Sequence, residues 1–102
     1  MINSDDLRLF DLIASHKSLA ATARALNVTP PTITQRLQLM EHKLQIKLVD
    51  RHPKSLTLTE GGRLLAEKAK IIIGELDGLH EEISSQKNEV SGRLRVLAPL
   101  GF

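Results

Sequence analysis

Residues Ser18 to Leu37 leave little freedom in how the rest of the chain can fold. The run Ser-Leu-Ala-Ala-Thr-Ala-Arg-Ala-Leu-Asn-Val-Thr-Pro-Pro-Thr-Ile-Thr-Gln-Arg-Leu reads as two short helices joined by a tight turn. Small side chains at Ala20, Ala21 and Ala23 let the first helix pack closely, and Leu26 closes it. Asn27 suits the left-handed residue that ends a helix. Thr29 stands where the cap of the second helix belongs, and Pro30 takes the first helical position, where a missing N–H is harmless. Thr32, Thr34, Gln35 and Arg36 fall on the first turns, with Gln38 one turn further along. Gln pairs with adenine and Arg with guanine, while Thr offers a hydroxyl or a methyl group, so such a helix has the chemistry to read a DNA major groove. Free N–H groups beside Thr29 are expected to add a phosphate-binding end. By itself a Thr-Gln-Arg run is an ordinary solvated face; its place after a capped turn and before a basic hairpin favours DNA contact.

The chain has 102 residues, enough for one domain with an appendage. Its aromatics are Phe10 and Phe102, so the core must be built from Leu, Ile, Val and Ala, which suits packed helices. No cysteine is present, which excludes disulfides and thiolate metal sites and fits a reducing compartment. The start, Met1-Ile2-Asn3-Ser4-Asp5-Asp6, lacks a basic region followed by an apolar run, and the longest aliphatic run is Ile71-Ile72-Ile73. A cytoplasmic location and no membrane association are the expectation.

Net charge is only +2, but its distribution is uneven. Asp5, Asp6 and Asp11 outweigh Arg8 at the start, and acidic residues again dominate from 60 to 92. Between them, Arg24, Arg36, Lys43, Lys47, Arg51 and Lys54 face only Glu41 and Asp50. The basic segment is thus the one that holds the helix pair.

Taken in order, Ser4 is a cap candidate for a helix with Asp5 and Asp6 in its first turn and Leu7, Phe10, Ile13 and Ala14 on its apolar face, ending near Ser15. Leu19, Ala23 and Leu26 supply the buried side of the second helix, and Ile33, Leu37, Met40 and Leu44 that of the third. Ile46, Leu48, Leu56 and Leu58 then alternate over two short runs around Asp50-Arg51-His52-Pro53-Lys54-Ser55, which reads as a hairpin wing. Arg51 has two readings, a grip on nucleic acid or an internal pair with Glu41; Lys54, with no acid nearby, is the better contact. The fold class is mainly α: a winged helix-turn-helix with a three-helix core and a two-stranded wing, followed by a long helix.

Thr59 caps that helix, whose first turn is weakened by Gly61 and Gly62. Leu65, Ala69, Ile72, Leu76, Leu79 and Ile83 recur at alternating spacings of four and three, a heptad seam. A helix from Glu60 to about Gln86 is roughly 40 Å long, too long to bury against a domain this small, so a second copy is the expected partner. Ser84 to Gly92 has a linker's composition, and Leu94, Val96 and Ala98 alternate like the first strand of a further domain. The division is 1–59 for the winged domain, 60–87 for the dimerisation helix, and 88–102 for a hinge and first strand.

His16, His42, His52 and His80 have no ligand spacing, and no nucleophile elbow, carboxylate pair or phosphate-cradling loop accompanies them. Neither a metal, a cofactor nor catalysis is expected. The rival to DNA reading is a protein–protein module that uses the long helix and keeps the winged fold as scaffold; such a protein would scatter its basic residues rather than cluster them.

Several elements in one order resemble the N-terminal DNA-binding domain of LysR-type transcriptional regulators. They are Leu7 and Phe10; Ser18-Leu19 with Ala23 and Leu26; Thr29, Pro31, Ile33, Thr34 and Leu37; Glu41, Leu44, Leu48 and Arg51; and Leu58-Thr59-Glu60-Gly61-Gly62. The chain departs from that pattern at Pro30, where Gln is usual, and at Thr22, Gln45 and Val49, where Ala, Gly and Phe are usual. Either a strained left-handed Gln45 or a different end to the helix, and less apolar volume under the wing, are expected in consequence. The resemblance implies that the third helix enters the major groove, the wing reaches the minor groove, and the long helix pairs antiparallel in a homodimer on a partly palindromic site. Tetramers are open to the full-length protein. It also implies a further C-terminal domain that takes a small-molecule effector. The DNA-facing set is then Ser18, Thr29, Pro30, Pro31, Thr32, Thr34, Gln35, Arg36, Gln38, Arg51 and Lys54.

Overall fold

The computed structural model describes the backbone of residues 1–52 and 55–97 and the side chains of 1–51 and 56–87. Three helices, α1 (Ser4–His16), α2 (Leu19–Leu26) and α3 (Pro30–Leu44), precede a hairpin of β1 (Val49–His52) and β2 (Ser55–Leu58), and α4 (Glu60–Leu97) follows. The strands are antiparallel, with Val49 opposite Leu58 and Arg51 opposite Leu56. The whole measures 64 × 25 × 19 Å because α4 projects beyond the winged domain. No helix among the described residues is long and apolar enough to cross a membrane.

Local chemistry sets the helix ends. Asn3, not Ser4, caps α1: its side chain accepts the Asp6 N–H at 2.9 Å while Asp6 accepts the Asn3 N–H at 3.1 Å, a reciprocal box that leaves Ser4 as the first helical residue. Ser18 caps α2 through its Oγ, which accepts the Ala21 N–H at 3.1 Å. Lys17, Asn27 and Gln45 end their helices with φ of 55°, 58° and 55°, so Asn27 is left-handed as expected and Gln45 takes the left-handed one of its two alternatives.

Leu9, Phe10, Ile13, Ala23, Ile33, Leu37, Met40, Leu48 and Val49 form one core. Leu9 enters it unannounced by the α1 stripe because α1 is covered from two sides, by α2 and α3 on one and by α4 on the other. Leu26 and Leu44 are each 38% exposed, so the apolar faces of α2 and α3 stop one turn earlier than periodicity suggests. Both are the last residues of their helices. Thr22 is fully buried in the face of α2, with its hydroxyl donating to the Ser18 carbonyl at 2.8 Å.

Segment 46–48 is not strand, and Ile46 is exposed. Its backbone groups are engaged elsewhere: the Ile46 N–H donates to the Glu41 carbonyl at 3.2 Å, and the Leu48 N–H to the Glu41 carboxylate at 2.8 Å. Thr59 ties the same segment to α4. Its hydroxyl donates to the Lys47 carbonyl at 2.7 Å and accepts the Gly62 N–H at 3.0 Å, while its N–H reaches the Leu48 carbonyl. Gly62 is indispensable there, since a Cβ would lie 2.0 Å from the Leu48 carbonyl oxygen.

From Gly62 onward α4 lies along α1. Ala69 is fully buried and Leu65 packs on the core, so these two expected seam residues serve their own domain. Arg8 meets Asp77 at 2.7 Å and Lys70 meets Asp11 at 3.0 Å. The Arg8 guanidinium holds the Asp77 carboxyl below the usual range, and Asp77 raises Arg8 in return. The helix continues to Leu97, where the sequence suggested a linker at 84–92 and a strand over 94–98. A strand needs a neighbour for its backbone groups, whereas a helix satisfies its own, and Gly92 costs the helix only about 1 kcal/mol. Ala98 lies outside the described residues.

Candidate nucleic-acid interface

Helix α3 is held by Ile33, Leu37 and Met40, all fully buried. With 3.6 residues per turn, the opposite side carries Pro31, Gln35, Gln38, Leu39 and His42, and each is exposed. Gln35 and Gln38 therefore share an outward row with Leu39 and His42, two residues the sequence reading passed over although they continue the spacing from Gln35. Thr34 and Arg36 are half-buried and sit on opposite flanks of that row. Arg36 leans over a groove lined by Asp5, Arg8, Leu9, Leu12 and Leu26, toward α1. The expected Thr34-Gln35-Arg36 face is thus split by the helical twist: one outward side chain and two lateral ones.

The start of α3 differs from expectation. Thr29 occupies the cap position with extended backbone, but its side chain accepts no backbone N–H. Pro30 and Pro31 fill the first two helical positions and have no N–H to give, so the Thr29 hydroxyl instead pairs with the Thr32 hydroxyl at 2.9 Å. The Thr32 N–H returns to the Thr29 carbonyl at 3.1 Å. A phosphate-binding end needs free N–H groups, and this helix start lacks them. At α2 the situation is reversed: Leu19 and Ala20, the first two helical residues after Ser18, retain N–H groups without intrahelical acceptors.

Glu41 fixes the root of the wing. Its carboxylate takes the Leu48 N–H and, at 3.4 Å, the Val49 N–H, so it is not a partner for Arg51. Arg51 stands exposed on β1, in none of the ion pairs among the described residues. Lys54 lies outside the described residues. Of the basic cluster, Lys43 is drawn to Asp6 at 3.3 Å, which joins the end of α3 to the start of α1 and leaves Arg24, Arg36, Lys47 and Arg51 as the cations beside α3. Two of the α1 acids are engaged elsewhere, Asp6 by Lys43 and Asp11 by Lys70, while Asp5 shares the groove that Arg36 lines.

Among the described side chains of α4 the large exposed apolar ones are Leu64, Ile71, Ile72, Leu79 and Ile83, the last three 47%, 50% and 58% exposed. Leu76 is half-buried. The seam residues that remain open are therefore Ile72, Leu79 and Ile83, the first of them on turns whose other side pairs with α1 through Lys70 and Asp77. No group of three or more His, Asp or Glu among the described residues is placed to hold a metal ion.

Comparison with known proteins agrees with this geometry. The chain is 37% identical over 101 residues to the HTH-type transcriptional regulator PtxR of Pseudomonas aeruginosa, a match covering 99% of the chain and 32% of that protein. It spans about a third of the length of the curated relatives it matches first. Among solved structures, the CbnR DNA-binding domain in complex with DNA superposes with a TM-score of 0.75 at 30% identity, over 85% of this chain and 99% of that one. Vibrio fischeri DarR in complex with DNA gives 0.78 at 28% identity, over 86% of this chain and 30% of that one. Residues 4–63, from the start of α1 to the first turn of α4, match the family described as bacterial regulatory helix-turn-helix proteins, lysR family, and the chain belongs to that family.

Proposed function

We infer that this chain is the DNA-reading and pairing part of a transcriptional regulator that works in the bacterial cytoplasm by binding rather than catalysis. The observation that carries the reading is the outward row of α3, Gln35 and Gln38, backed by three fully buried anchors and flanked by Arg36. Such a helix is presented rigidly, as a groove reader must be. The row enters the major groove, with Thr32 and Thr34 at its edges. Ser18 at the start of α2 and the Leu19 and Ala20 N–H groups meet a phosphate, and Arg51 with Lys54 carries the wing to the backbone and the minor groove. Lys and Arg contacts to phosphates supply most of the affinity, and the base contacts supply the choice of site.

Ile72, Leu76, Leu79 and Ile83 pair with the same residues of a second copy, antiparallel, so that two reading helices meet a partly palindromic site. The division into a reading domain at 1–59 and a pairing helix at 60–87 follows from this. Residues 88–102 lead toward the remainder of a longer protein, matching relatives about three times this length, and that remainder takes the small-molecule effector.

Selection of binding sites from random DNA with the 102-residue chain tests the reading. The expected product is a palindrome with one half-site spacing, bound with an affinity that falls steeply as salt rises. No enrichment, or binding indifferent to salt, would overturn it.

A further inference from the structure

The turn before α3 and its first helical residues form a surface unlike the rest of the reading helix. Val28 is 42% exposed, and Thr29, Pro30, Pro31 and Thr32 are exposed with it. The two prolines carry no N–H, the Thr32 N–H is bonded to the Thr29 carbonyl, and the two threonine hydroxyls are bonded to each other at 2.9 Å. What is left outward is mostly CH₂ and CH₃, the unengaged donors being one hydroxyl proton and the Thr29 N–H. One turn further along, Gln35 and Gln38 present intact amides.

In the major groove each base pair offers acceptors, a donor or, for thymine, the 5-methyl group. A surface with almost no donors gains nothing from purine N7 or O6 atoms and leaves them unpaired on contact, which is unfavourable. It gains from an apolar group. Resting on the reading that α3 enters the major groove, we propose that Pro30 is a specificity-determining residue: with Pro31 and Val28 beside it, it selects a pyrimidine bearing a 5-methyl group by apolar contact. The glutamines in the middle of the helix read their bases by hydrogen bonds. One helix thus reads in two chemistries, and the boundary between them lies in its first turn.

The test uses the 102-residue chain and a site selected from random DNA. Each thymine is replaced in turn by deoxyuridine, which removes the methyl group and leaves every hydrogen-bonding group in place. The expected result is a loss of about fourfold at one or two thymines per half-site, the value of one buried carbon. In P30Q and P30S that loss shrinks below about 1.5-fold, with P30Q favouring adenine at the same position because its amide pairs there. Position 30 is exposed, so both variants keep the helical circular dichroism of the parent, and Q35A keeps the methyl sensitivity. Deoxyuridine without effect at every thymine would overturn the proposal, and so would an effect that P30Q and P30S leave unchanged. Either result would leave the DNA reading standing, whereas failure to enrich any site would remove both.

Discussion

The two halves of α4 carry one periodic pattern and face different surroundings. Up to Ala69 the helix is embedded: Thr59 bonds across to segment 47–48, Gly62 nests on the Leu48 carbonyl, and Leu65 and Ala69 meet the core and α1. Beyond that point Ile71, Ile72, Leu79 and Ile83 are exposed. A heptad therefore specifies which residues share a face of the helix, but not whether that face meets its own domain or a second copy. The embedded half decides the direction in which the free half is offered.

The largest expected break falls on the embedded half. Gly62→Ala drives a methyl into the Leu48 carbonyl, a backbone atom that cannot yield, and should cost about 3 kcal/mol or more in urea unfolding. Gly61→Ala meets only the mobile end of Ile46, and the helix propensity of alanine compensates, so stability should stay within about 1 kcal/mol of the parent. Equal costs at the two glycines would remove the distinction.

The free half should respond in association rather than in folding. Leu79→Asp and Ile83→Asp should each weaken self-association by tenfold or more, from about 1.5–3 kcal/mol per apolar side chain, with unfolding of the winged domain unchanged. Ala69→Asp should do the opposite, unfolding the domain by burying a charge. Sedimentation equilibrium beside thermal unfolding separates the two behaviours.

Thr59→Ala removes a cap and the bond to Lys47, and a loss of about 1–2 kcal/mol is expected in the same unfolding assay. The smallest effect belongs to the Arg8–Asp77 pair, which is exposed and screened. Because Asp77 is held below its ordinary value, its contribution is complete above about pH 4 and is lost as pH falls through the lowered value. Asp77→Asn should therefore melt slightly below the parent at neutral pH and coincide with it in strong acid or high salt.

Much of the candidate interface could be read along the chain because it depends on chemistry within one turn. Ser18 caps α2, Asn27 turns left-handed, and Pro30 starts α3, all as their side chains dictate. The same local logic went astray where two local rules competed. Thr29 sits in the cap position, yet two prolines leave its hydroxyl no nearby N–H, so the expected phosphate-binding end is missing. Three consecutive residues, Thr34, Gln35 and Arg36, read as a single face although a helix turns each about 100° from the last.

The sequence by itself determined the first three helices, the Ser18 and Thr59 caps, the wing and the spacing of the seam, because each rests on backbone preferences and side chains three or four residues apart. Only the tertiary structure decided that Leu9 is buried in the core, that Glu41 holds the wing root and leaves Arg51 unpaired by it, and that Leu65 and Ala69 are taken from the seam by their own domain. Those outcomes depend on how helices distant in sequence cross and how closely their backbones approach. Gly62 shows the difference: along the chain it weakens a helix, and in space it is the residue that lets α4 touch the domain.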